Sequence, residues 1–209
     1  VVTNPTVADL YLKPVLASLK GAGISPLPCT MPDGEAHKTL ETLAALYNQF
    51  VDGGLDRSGA VLALGGGVTC DVAGFAAATY MRGLPVVQVP TTLLAMVDAS
   101  VGGKNGVNFG GYKNMVGVFN QPDFVICDMD VLSTLPREEL CCGFAEIIKH
   151  GAIADRNLFD YIENHSSSAK PFFMVLSWGP PHAPYETAPA EFRAMYSPDS
   201  LNLPPNVPE

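Results

Sequence analysis

Apolar positions along the chain fall into short blocks separated by glycine, proline and small polar residues. Val1 and Val2, before Thr3-Asn4-Pro5, read as the end of a strand. From Val7 to Leu19 the residues Val7, Leu10, Tyr11, Val15, Leu16 and Leu19 recur at helical spacing. Pro14 predicts a kink or break in that helix, and Gly21 and Gly23 stop it. After a turn at Met31–Glu35, a second helix is expected over His37–Val51, with Leu40, Leu43, Leu46 and Phe50 on its apolar side. Asp33 is its expected N-cap, and Glu35 suits the helix dipole in its first turn.

The continuous apolar run Val61–Leu64 predicts a buried strand, and it ends in Gly65, Gly66 and Gly67. A helix-like segment, Asp71–Tyr80, follows. Pro85–Val89 is a short strand closed by Pro90-Thr91-Thr92, and a helix is expected from Leu93 towards Ser100. Gly102, Gly103, Gly106, Gly110 and Gly111 mark a loop-rich segment carrying Lys104 and Lys113. Phe124–Cys127 is another short strand, and Pro136–Ala154 a long helix. This alternation predicts an α/β fold with a largely parallel sheet.

Charge and cysteine use narrow the class. The formal net charge of -9 lacks the basic footprint of a general nucleic-acid binder, although local lysines still suit a small phosphorylated ligand. No apolar run reaches the length of a membrane span. Five cysteines, an odd number without a Cys-x-x-Cys pair, point to reduced thiols rather than a disulfide framework. Residues 169–209 are rich in proline and hold only Gly179 of the chain's 20 glycines.

Several groups have candidate chemistry. Glycines before a helix start let a backbone approach a phosphate, which the helix N–H groups and dipole attract. The pattern Gly65-x-Gly67-x-x-Cys70 lacks the third glycine of a dinucleotide fingerprint, and a plain glycine turn explains it equally well. Asp33, Glu35 and Lys38 stand at a helix entrance, where carboxylates serve either as caps or as contacts to ribose hydroxyls. Thr91 and Thr92 follow a strand end, where open α/β sheets bind ligands; they equally suit a helix cap. Asp98, Lys104, Lys113 and Asn114 lie in a polar, glycine-laced stretch. Glu146, Lys149 and His150 share one helix face, as a surface ion pair or as the edge of a cleft.

In order along the chain, LGGGVTCDVAGFAAATYMRG, VPTTLLAMVDASVGGKNGVNFGGYKNMVGVF and LSTLPREELCCGFAEIIKHG together resemble 3-dehydroquinate synthase over about residues 1–165. The resemblance implies the NAD-binding domain of the dehydroquinate synthase-like fold. It implies a cytoplasmic lyase of the shikimate route to aromatic amino acids. That family converts 3-deoxy-arabino-heptulosonate 7-phosphate to 3-dehydroquinate and phosphate with NAD and zinc or cobalt, and its full-length members are homodimers. By the same resemblance, Asp33, Gly34, Glu35 and Lys38 contact the nucleotide. Gly67, Val68 and Asp71 belong to the pyrophosphate loop, and Thr91, Thr92 and Val131, Leu132, Ser133 and Thr134 make further NAD contacts. Lys104 and Lys113 serve cofactor and substrate, Asp98, Asn114 and Lys149 the substrate, and Glu146 the metal. Arg82 matches an arginine that reaches the substrate phosphate of a neighbouring subunit.

Three departures qualify the expectation. Cys70 stands where many members have glycine. The family's C-terminal helical domain, with two histidine metal ligands, has no counterpart, and its opening strands are not matched. The stretch KPFFMVLSWGPPHAPYETAPAEFRAMY from Lys170, with His182, resembles a sulfatase fragment that lacks the sulfatase nucleophile motif. The expectation is therefore a truncated member: an incomplete NAD-binding domain over 1–165 and a tail over 169–209 that is no independent domain. Such a chain binds NAD at most and does not turn over. The alternatives are another sugar-phosphate cyclase or polyol dehydrogenase of the same superfamily, a non-catalytic NAD-binding remnant and, least favoured, a sulfatase.

Overall fold

The computed structural model describes residues 1–165; the sulfatase-like tail lies outside the described residues. Internal contacts divide the chain into two units, Val1–Phe144 and Ala145–Glu209. In chain order the strands are β1 (Val2–Thr3), β2 (Cys29–Thr30), β3 (Val61–Gly65), β4 (Val86–Pro90), β5 (Lys104–Phe109), β6 (Tyr112–Phe119) and β7 (Phe124–Val125). Five of them form a sheet in the order β2-β1-β3-β4-β7, and every pair in it is parallel. β5 and β6 form a separate antiparallel hairpin. The fold is thus α/β with a largely parallel sheet.

The helices of the first unit are α1 (Pro5–Val7), α2 (Lys13–Gly21), α3 (Leu40–Asp52) and α4 (Gly67–Thr79), followed by the first part of α5 (Arg137–Ala154). α4 is apolar all round and is buried from Thr69 to Cys70 and from Val72 to Ala77, as expected of a helix packed on every side. It meets β3 and β4 of the sheet and β5 of the hairpin. The core joins Val2, Val61, Ala63 and Val86 of the sheet to Leu43, Leu46 and Phe50 of α3, Val72, Ala73 and Ala76 of α4, and Val107 of β5. Gly74 gives β5 its close approach, because a Cβ there would collide with the Asn105 side chain.

Several local expectations are corrected. Pro14 does not break the first helix. A π-helical turn, Ala8–Leu12, precedes it, and Pro14 sits in the first turn of α2, where its missing N–H costs least. Asp33 is not the N-cap of α3. Thr39 is, with its Oγ1 accepting from the Thr42 N–H at 3.3 Å, while Glu35 belongs to a separate 3-10 turn, Glu35–His37. The glycine helix starts at Gly67 rather than Asp71.

The largest correction is the segment expected to be loop. Lys104 and Lys113 lie on β5 and β6. Gly110 and Gly111, with φ of 59° and 83°, form the two-residue turn between the strands, the geometry that matches the strands' own twist.

In the second unit the rest of α5 is followed by α6 (Arg156–His165), which the sequence reading had not anticipated. Asp155 caps α6, its Oδ1 accepting from the Leu158 N–H at 3.1 Å. Among the described residues no helix is long and apolar enough to cross a membrane.

Candidate functional site

The strand order reverses between β1 and β3, and an open parallel sheet leaves a crevice beyond the strand ends at such a point. A cleft of ≈ 580 Å³ lies there. Its walls come from the turns after β1 (Asn4, Thr6), β2 (Asp33, Gly34, Glu35, Lys38), β3 (Gly66, Gly67, Val68) and β4 (Thr91, Thr92), and from Asp98 and Thr134.

The glycines at the start of α4 serve packing rather than an unusual backbone. None of Gly65, Gly66 and Gly67 has positive φ. A Cβ on Gly65 would sit 2.6 Å from Thr69 Cβ, and one on Gly66 would sit 3.1 Å from Thr92 Cγ2. The α4 N-cap, Gly66, has no side chain to cap the helix. The first N–H groups of α4 therefore open on the cleft without a side-chain acceptor, an arrangement suited to an anion. Cys70 fits where glycine was usual. It is fully buried, its Sγ donates to the Gly65 carbonyl at 3.7 Å, and burial pushes the thiol pKa up, so it stays protonated.

A polar network lines the next wall. Thr6 Oγ1 donates to Asp33 Oδ2 at 3.0 Å, tying the turns after β1 and β2. Gly34, at φ 97°, takes a conformation that only glycine adopts without strain. Lys38, 4 % exposed, donates through Nζ to Asp71 Oδ2 and to Asn114 Oδ1, each at 2.5 Å. Burial raises the Asp71 carboxyl to about 6; Lys38 pulls it the other way and only partly compensates. Lys113 Nζ lies 3.8 Å from Glu35 Oε1 in an exposed pair.

The other candidates fall elsewhere. Thr92 is in the cleft wall, but its Oγ1 accepts from the Ala95 N–H at 3.2 Å, so it also caps the following turn. Val131, Leu132, Ser133 and Thr134 form most of a 3-10 turn, Met129–Thr134, of which only Thr134 faces the cleft. Tyr11 holds that turn, donating to the Val131 carbonyl at 3.2 Å and pairing with Thr134 Oγ1. In the sequence Tyr11 is only an apolar helix position, because nothing local shows where its hydroxyl goes. Lys104 is exposed at the start of β5 and does not line the cleft.

Arg82 is not brought to the cleft. It sits beyond the far end of α4, about 20 Å from Gly67 by helix rise. It and Met81 adopt left-handed φ of 71° and 50°, a conformation rare outside glycine.

In the second unit, Glu146 Oε1 lies 2.5 Å from Lys149 Nζ and 3.2 Å from His150 Nε2. Among the described residues no three ligating side chains cluster. One carboxylate beside one imidazole is short of the three or four ligands that zinc takes, so these residues do not by themselves make a metal site.

The fold and cleft define an open α/β domain with a nucleotide-type crevice at its switch point. The model of the 3-dehydroquinate synthase N-terminal family matches residues 28–142, and the chain belongs to that family. A 3-dehydroquinate synthase of Geobacter metallireducens is 53% identical over 165 residues, which are 79% of this chain and 46% of that protein. The chain thus spans about half the length of the curated relatives it matches. Among solved structures, 2-epi-5-epi-valiolone synthase from Streptomyces hygroscopicus, with NAD+ and Zn2+ bound, aligns at TM-score 0.75 and 38% identity, covering 80% of this chain and 47% of that one. A 2-deoxy-scyllo-inosose synthase complexed with carbaglucose-6-phosphate, NAD+ and Co2+ aligns at TM-score 0.70 and 33% identity, covering 73% of this chain and 42% of that one.

Proposed function

We propose that this chain is the nucleotide-binding part of a 3-dehydroquinate synthase, the cytoplasmic lyase that makes 3-dehydroquinate from 3-deoxy-arabino-heptulosonate 7-phosphate. The observation that carries the reading is the α4 start without a side-chain cap, opening on the cleft where the strand order reverses. The similarity to synthases bound to NAD+ supports the same cofactor here. The NAD-binding domain is read as residues 1–165, and 169–209 as a separate proline-rich segment.

In this reading the N–H groups of Gly67 and Val68 take the pyrophosphate, while Asp33 and Glu35 accept from ribose hydroxyls. Asp71 and Lys38 fix the wall, and Gly34, Thr91, Thr92 and the Val131–Thr134 turn complete the nucleotide site. NAD held there would supply reversible hydride acceptance at a substrate carbinol. Lys104, Lys113, Asn114 and Asp98 hold the carboxylate, hydroxyls and phosphate of the substrate, and Lys149 is assigned to the substrate by the family resemblance alone. Arg82, turned away from this cleft, serves the site of a second copy in a homodimer.

Glu146 would contribute one ligand to a divalent metal, which would polarise substrate oxygens. In this reading the 209-residue chain binds NAD and does not turn over.

Calorimetry of the 209-residue chain with NAD tests the reading. Saturable binding that Gly66→Val abolishes, with an unchanged circular dichroism spectrum, is expected. Absence of binding overturns the nucleotide role, and detectable 3-dehydroquinate overturns the inactivity. A second reading, a cyclase for a different sugar phosphate, draws support from the 38% identity to the valiolone synthase, against 53% to a dehydroquinate synthase. Turnover of phosphorylated hexoses or other heptuloses by the complete gene product, without turnover of the heptulosonate, would establish it instead.

A further inference from the structure

The β5–β6 ladder is irregular towards its turn. Val107 pairs with Val116, and Phe109 with Tyr112. Between those pairs β5 has one residue, Asn108, and β6 has three, Lys113, Asn114 and Met115. β6 therefore bulges, and Asn114 takes the left-handed conformation at φ 54°. Bulges re-aim side chains at the cost of ladder hydrogen bonds. The Asn108 side chain makes good that loss, because its Oδ1 accepts from the Asn114 N–H at 2.8 Å.

The same residue reaches the Glu35–Lys38 wall of the cleft with its other polar atoms. Its Nδ2 donates to Glu35 Oε1 at 3.0 Å, and its backbone N–H donates to the Lys38 carbonyl at 2.8 Å. Lys38 Nζ then returns to Asn114 Oδ1, closing a ring through Asn108, Asn114 and Lys38. The charged groups around that ring are Glu35 and Lys38 before α3, Asp71 on α4 with Asp98 near it, and Lys113 on β6.

We propose that Asn108 is a positioning residue that couples the β5–β6 hairpin to the Glu35–Lys38 wall of the cleft. One carboxamide sets the bulge carrying Lys113 and Asn114, on the substrate side, and holds the Glu35 carboxylate, on the nucleotide side. The assignment of those sides rests on the function proposed above. The bulge geometry does not.

Two variants of the 209-residue chain separate the atoms. Asn108→Asp keeps the acceptor for Asn114 N–H but replaces the donor to Glu35 with a second carboxylate. Asn108→Ala removes both. Hydrogen exchange at the Asn114 amide should stay slow in Asn108→Asp and rise by at least about tenfold in Asn108→Ala, with amides of β3 and α4 unchanged. NAD affinity of Asn108→Asp should fall about tenfold against wild type at roughly pH 8 and recover to within about threefold at roughly pH 5, where the carboxyl pair shares a proton. Asn108→Ala should show no such recovery.

Unchanged exchange at Asn114 in Asn108→Ala overturns the bulge role. An Asn108→Asp affinity equal to wild type at both pH values, or equally weak at both, overturns the coupling. If the wild-type chain binds no NAD, the function proposed above fails and the coupling with it; the exchange measurement still decides the bulge role.

Discussion

The parallel sheet meets the helices through Val2, Val61, Ala63 and Val86, all at most 2 % exposed and packed on α3 and α4. The β5–β6 hairpin reaches α4 differently. Val107 enters the core, but Asn105 lies flat on Gly74, its Nδ2 donating to the carbonyls of Gly103 and Asn120. At its tip the hairpin is held by Asn108, Asn114 and Lys38 rather than by apolar contact. Apolar packing is spread over many atoms and fixes the fold. A polar ring depends on each partner and fixes directions, which is what a binding wall needs.

The sharpest way to break this contrast is in the apolar layer. Phe50, 2 % exposed, packs edge-on against the Tyr80 ring, with the ring centroids 5.2 Å apart. Phe50→Ala should cost about 4 kcal/mol and lower the urea midpoint of sheet and hairpin together. If the hairpin melted separately, the shared core would be refuted.

Lys38→Met acts on the polar side. It leaves Asp71 buried without its cation, which costs about 3 kcal/mol, and Asp71 should then titrate higher than in the wild type. Measured by urea unfolding, the double change Lys38→Met/Asp71→Leu should recover most of that loss, because neither charge is then stranded.

Asp71 sharpens the contrast through pH. Burial pushes its carboxyl up to about 6 in the folded chain, against about 3.9 for an unperturbed aspartate. A raised carboxyl favours folding in its protonated form. Its contribution is full below about pH 4 and is lost as pH rises through about 6, on the order of 3 kcal/mol. Denaturant titrations of wild type and Asp71→Asn from acid to neutral pH should therefore diverge in that window, with the wild type losing more stability. Parallel curves would contradict a buried, ionisable Asp71. The smallest effect is expected at Lys113, whose pair with Glu35 is exposed. Lys113→Ala should change stability by under about 0.5 kcal/mol, as thermal melting would report.

The same contrast explains what the sequence made legible. Val61–Leu64 running into Gly65–Gly67 announces a strand, a turn and a helix, because burial and close approach leave a compositional trace. The helix start was misplaced at Asp71 because glycine has low helix propensity, yet in the structure Gly66 is the cap and Gly67 the first helical residue. The hairpin was missed although Gly110-Gly111 between Val107 and Val116 is a hairpin signal; five glycines in ten residues read as loop. Asn108 carried no local signal at all. Its function arises from a bulge on another strand and from Lys38, seventy residues earlier in the sequence. Thr39, three residues before Thr42, displaced Asp33 as the cap, which freed Asp33 for Thr6 and the cleft.

The central claim is that the start of α4 holds a dinucleotide's pyrophosphate. Titrating the isotope-labelled chain with NAD and following backbone amide shifts tests it directly. The account predicts the largest shifts at Gly67, Val68 and Thr69, with smaller ones at Glu35, and none of comparable size when adenosine replaces NAD. Largest shifts at β5, β6 or α6, with the α4 start unmoved, would contradict it.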